Sequence, residues 1–138
     1  MRKLMTLALA ATTVVLAACS GSDSTGPESI AGTYTLATIN NGQLPFITTQ
    51  SAAYKAEILA SAITLKDDKT FSWTITGRET DAGGPVVSTD VLNGVYTLVG
   101  SVLTLGDSDG STTAKLTGDT ITMVFDGSAG RFTLVFRR

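Results

Sequence analysis

One side chain in the sequence has a chemistry that its neighbours define. Cys19 is the sole cysteine and stands directly after Leu16-Ala17-Ala18. A thiol is a nucleophile that can take an acyl-type modification, and small residues before it let a processing enzyme approach the backbone closely. The other reactive types are sparse. Histidine is absent, so the usual pairings of general base and nucleophile cannot be assembled. With the thiol committed elsewhere, transition metals lack their preferred ligands. Glu57, Glu79, Asp81 and Asp90 offer carboxylates for acid–base work, yet nothing in their spacing ties two of them together, and solvated charges at strand ends account for them. Asp107-Ser108-Asp109-Gly110 opens like a calcium loop but is one acid short and lacks the later glutamate, so it reads as a hairpin turn. These residues point away from catalysis, and no metal or cofactor is expected.

The elements around Cys19 give it a meaning. Met1-Arg2-Lys3 is a short basic stretch, and residues 4–18 are apolar apart from Thr6, Thr12 and Thr13. Residues 1–18 therefore read as a signal peptide, since the run is shorter than the ~20 residues a helix needs to span a bilayer. The sequence Leu16-Ala17-Ala18-Cys19 resembles the bacterial lipobox. That resemblance implies a lipid-modified Cys19 at the mature N-terminus, held to a membrane by acyl chains whose buried methylenes contribute about 0.8 kcal/mol each. The alternative is a plain secretory signal with an incidental cysteine. Ser20 follows in place of the aspartate typical of inner-membrane retention, which resembles the pattern of lipoproteins sent to the outer membrane of the cell envelope. Residues 19–29 then form a Gly/Ser-rich tether with no large apolar side chain.

The chain has 10 basic and 12 acidic residues, and loss of Arg2 and Lys3 with the signal leaves 8 basic residues and a net charge of −4. Nucleic acid, which selects clustered Lys and Arg, is a poor partner for that balance. The remaining domain, residues 30–138, is long enough for one core without disulfides.

From Ala31 onward apolar residues alternate with threonine and serine at period two, the pattern of half-buried strands. Phe71, Trp73 and Ile75 share one face, as do Ile121, Met123 and Phe125, and Phe132, Leu134 and Phe136. Turn residues at 40–42, 67–69, 82–85, 100–101, 106–110, 118–119 and 126–127 separate the runs. The expected strands are 31–39, 54–65 with a break near Ser61, 69–77, 87–99, 101–106, 111–117, 120–125 and 130–137. Residues 48–60 could alternatively form a helix with its alanines on one side. Eight short hairpin-linked strands predict an all-β, up-and-down antiparallel barrel, with a β-sandwich as the alternative. Most of the strands are too short for a lipid-embedded barrel, whose strands need ~9–11 residues.

Gly32-Thr33-Tyr34 on the first strand is similar to the Gly-x-Trp with which lipocalins begin, with Arg137 placed to cross the aromatic ring. The resemblance to a small lipocalin-like domain of the calycin type implies that small apolar molecules are bound. Under it, Tyr34, Phe71, Trp73, Tyr96, Phe125, Phe132 and Phe136 are the candidate pocket lining, and Leu44, Phe46 and Ile47, in an apparent loop, the candidate lid. Eight-stranded barrels can equally be packed solid. The expectations are thus a membrane-anchored binding module or, alternatively, a non-enzymatic structural or protein-interaction domain of the envelope, with its protein partner unknown.

Overall fold

The computed structural model describes residues 29–127 and 130–138, and all described secondary structure is β. The expected signal peptide, the lipobox-like segment with Cys19, and residues 19–28 of the expected tether lie outside the described residues. Nine strands follow in order: β1 (Gly32–Ile39), β2 (Phe46–Gln50), β3 (Lys55–Leu65), β4 (Thr70–Asp81), β5 (Gly84–Val99), β6 (Val102–Gly106), β7 (Ser111–Thr117), β8 (Thr120–Gly127) and β9 (Gly130–Arg137).

Strands β3 to β9 form a continuous antiparallel meander, and β1 closes it by pairing with both ends. Residues 32–35 of β1 lie against 62–65 of β3, and residues 35–39 of β1 lie against 134–137 of β9 across an irregularity near Ala37. The result is a closed eight-stranded antiparallel barrel, consistent with a lipocalin-like one, with β2 as an extra strand on the part of β3 that β1 leaves uncovered.

Period-two alternation produces the interior. Tyr34, Ile63, Leu103, Ile121, Met123 and Phe136 are fully buried, while their threonine neighbours face outward. Trp73 carries a polar atom into the core, and that atom is satisfied there. Its Nε1 donates to Ser61 Oγ (2.8 Å), and that hydroxyl donates to the Thr74 carbonyl (2.8 Å). Ser61, marked in the sequence as a break, is therefore an inward strand residue chosen to meet the indole, and the irregularity of β3 falls between Ile58 and Ala60.

Two further expectations change. The alternative helix over 48–60 is not formed, since 48–50 and 55–60 are strand, and the apparent loop at Phe46 and Ile47 is the start of β2. The short β2 carries two threonines and one glutamine, too few apolar positions to show alternation. The β4–β5 hairpin is also longer than expected: its strands run to Asp81 and from Gly84, so that only Ala82 and Gly83 turn the chain. Gly84 takes φ of 99°, which a side chain would oppose.

Candidate functional site

The two ends of the barrel are built differently. At the end holding Ser29, Arg138 and the turns at 66–69, 100–101 and 118–119, the interior is shut. Gly32 has φ of 148°, and a Cβ there would sit 2.8 Å from Arg138 Cδ. The absence of that carbon lets the Arg138 stem cross the strand and set its guanidinium over the Tyr34 ring, 5.5 Å from the centroid. Arg138 also bonds to Asp119 and donates to the carbonyls of Ala31 (2.9 Å) and Ser29 (3.2 Å). Tyr34 Oη donates to the Ile30 carbonyl (2.9 Å). The glycine and aromatic of the opening motif thus serve one contact. The arginine in it is Arg138 and not Arg137, which lies in β9 opposite Thr35 and Thr120 with its side chain exposed. The alternation of β9 sends 132, 134 and 136 inward, so 137 has to point out.

Tyr96 completes this seal. Its hydroxyl donates to the Lys66 carbonyl (2.6 Å), and burial, reinforced by the nearby Asp67 and Asp68 charges, raises its pKa. Ser29, at the end of the expected tether, donates to Asp67 (3.0 Å) and so is tied to the same end.

At the opposite end the interior is an apolar recess of about 260 Å³, lined by Ile39, Thr48, Ile58, Trp73, Ile75, Phe125, Phe132 and Leu134. Trp73 lies on the border between the two halves, stacked on Phe125 (5.9 Å between ring centroids) and edge-on to Phe136 (6.3 Å). The one hydroxyl in the wall, that of Thr48, is donated to the Ala56 carbonyl (3.2 Å). No wall side chain is left with a polar group to offer, so whatever enters is held by shape and apolar contact.

Of the seven aromatics named from sequence, Trp73, Phe125 and Phe132 line this recess. Tyr34, Phe71, Tyr96 and Phe136 do not, because they fall on the sealed side, where they are buried in the core. Alternation identifies an inward face but not the height along the barrel at which the packing stops. Thr48 was hidden by the unrecognised β2, and Ile58 by the irregularity beside it. Phe46 packs edge-on against Phe132 (6.3 Å) at the margin of the recess and Leu44 packs on the core, while Ile47 is exposed.

The carboxylates do not converge. Glu57, only 7% exposed, lies under Arg78 (2.8 Å) and Lys55 (3.2 Å) on the outer face, and the Arg78 hydrogen bond lowers its pKa. Glu79, Asp81 and Asp90 are exposed. Asp107 Oδ1 accepts the amides of Asp109 (2.8 Å) and Gly110 (3.0 Å), which makes the calcium-like tetrapeptide the turn between β6 and β7. Among the described residues no group of three potential ligands could hold a metal ion.

Comparison with family models, with curated proteins and with solved structures returned no match to this chain.

Proposed function

We propose that this chain is a lipid-anchored protein of the cell envelope that holds one small apolar molecule in the open end of its barrel, without catalysing a reaction on it. The observation that carries the binding reading is the recess itself. Its wall is made of apolar side chains, and its only hydroxyl is already bonded to the backbone. A core meant only to be stable would be filled at that end as it is at the other. The volume of about 260 Å³ exceeds the roughly 150 Å³ of an engineered void that takes benzene and lies just under the ~300–1,000 Å³ of drug-sized sites. That range favours a compact guest of one or two rings or a short branched chain over a long lipid. The lipobox-like segment supports the anchor, and the inward-facing apolar side chains of the barrel suit a body held beside a membrane better than one embedded in it.

Trp73, the only tryptophan, lies in the wall and reports on occupancy. Titration with N-phenylnaphthylamine is expected to quench Trp73 emission saturably by energy transfer to the bound probe, and Ile75→Lys, which puts a charge into the wall, is expected to abolish the effect. The absence of saturation, or a response unchanged in Ile75→Lys, rejects the reading. For the anchor, metabolic labelling with a fatty acid should be lost in Cys19→Ser, and a label that persists refutes lipidation at that residue.

A further inference from the structure

Strand β5 is much longer than the partner on its second side. It pairs with β4 over Gly84 to Val95, but with β6 only over Val95 to Val99. The two strands part at Gly94, where a Cβ would run into the Gly106 carbonyl oxygen, so that no side chain fits. Beyond that point no described strand is hydrogen-bonded to the outer edge of β5.

The direction of this edge follows from one bond. Tyr96 N–H donates to the Lys69 carbonyl (2.8 Å) on the β4 side. In an antiparallel ladder without shifts, as this one is, residues alternate in the side to which they turn N–H and C=O. The even residues of β5 therefore serve β4, and Val87, Thr89, Val91 and Asn93 turn their main-chain groups to the free edge. Pro85 lies at the end of that edge, where its missing N–H ends a ladder without interrupting one. Proteins guard such edges with lysine, bulges or short length. From Val87 to Asn93 this one has no lysine, no proline and no bulge, Asp90 is its one charge, and it carries Val87 and Val91 at 59% and 55% exposure.

We propose that this edge pairs antiparallel with β5 of a second copy of the chain, about a two-fold axis at Thr89. Thr89 is the middle of the free stretch from Pro85 to Asn93, so an axis there uses its whole length. In that arrangement Val87 faces Val91 of the second copy, Leu92 faces Val86, and Asp90 faces Ser88. Apolar residues meet apolar ones, and the aspartate meets a hydroxyl instead of its own copy. Val87, Thr89 and Val91 would exchange about six main-chain hydrogen bonds. Moving the axis two residues toward Val91 sets Val87 against Val95, which β6 already occupies. Moving it the other way sets Thr89 against Pro85 and leaves Val91 and Asn93 without partners in the free stretch, whereas the axis at Thr89 keeps Pro85 at the end of the ladder, opposite Asn93. The contact is isologous and closes on itself, which fits two copies and stops there. It does not depend on the recess or on what fills it.

The test uses the full chain in its membrane. In the proposed pairing the two Thr89 Cα atoms lie about 5.5 Å apart, within disulfide reach. Thr89→Cys, under a mild oxidant, is expected to give a reducible dimer as the main species, while Thr113→Cys, equally small and exposed on β7, stays monomeric. Sedimentation in detergent of the unsubstituted chain should show dimers that Val87→Lys with Val91→Lys dissociates, with the β circular-dichroism spectrum retained. Cross-linking of Thr89→Cys no greater than that of Thr113→Cys, or a dimer indifferent to the two lysines, overturns the proposal.

Discussion

The sealed and the open end of this barrel are packed differently by the same strands. At the sealed end the two tyrosines have specific polar partners, and so has the tryptophan on the border: Tyr34 holds the Ile30 carbonyl and the Arg138 guanidinium, Tyr96 holds the Lys66 carbonyl, and Trp73 holds Ser61. At the open end Phe125 and Phe132 have apolar neighbours, with empty volume between them. Directional contacts fix a single packing, whereas apolar contact alone tolerates a guest. One end can thus supply the stability that lets the other remain unfilled.

The widest separation of the two ends should come from truncating a large side chain in each. Phe136→Ala, at a fully buried position, is expected to cost about 3–5 kcal/mol in denaturant unfolding. Ile75→Ala, in the half-open wall, should cost about 1 kcal/mol while weakening retention of an apolar guest. Comparable losses at both sites would erase the distinction. Next in size is Ser61→Ala, which leaves the Trp73 N–H buried without its acceptor and should cost about 1–3 kcal/mol, measured in the same way.

Smaller again is the Gly32–Arg138 contact. Arg138→Ala is expected to lose about 1–2 kcal/mol from the ring contact and its hydrogen bonds. Gly32→Ala should be more harmful beside Arg138 than in the Arg138→Ala background, where the clash with the stem is gone and only the strain of φ at 148° remains. A double-mutant cycle reads that coupling directly, and strict additivity would separate the two residues.

The mildest effect should follow pH. The Arg78 hydrogen bond holds the Glu57 carboxyl below its ordinary value. A carboxyl lowered in the folded state stabilises above its unfolded pKa, near ~4.3, and that stability is lost as the pH falls through the lower folded value. Thermal midpoints should therefore drop more between pH 5 and pH 3 for the native chain than for Glu57→Gln. Asp68, lowered by its hydrogen bonds to Thr70, adds to the drop in both.

Much of the barrel was legible in the sequence because alternation and turn chemistry are local. Phe71, Trp73 and Ile75 announce an inward face whatever their neighbours do. What escaped depends on contacts between distant residues. β2 forms only because β3 offers it an edge, so Phe46 and Ile47 looked like a loop. Arg138 crosses Tyr34 because β9 ends one residue before it, a phase that could not be assigned from sequence to better than one position. The recess is defined by where packing stops, and no local pattern records that. Trp73, Phe125 and Phe132 could be named as inward aromatics, but their separation from Tyr34, Phe71, Tyr96 and Phe136 needed the fold.

The division between the two ends can be read in one spectrum. Isoleucine methyl groups line the open end at Ile39, Ile58 and Ile75, and fill the sealed end at Ile63 and Ile121. In a methyl-resolved NMR titration with N-phenylnaphthylamine, the signals of Ile58 and Ile75 should shift saturably, with Ile39 following, while those of Ile63 and Ile121 stay in place. Shifts spread evenly over all five, or confined to Ile63 and Ile121, would contradict the assignment of one end to holding a guest and the other to holding the fold.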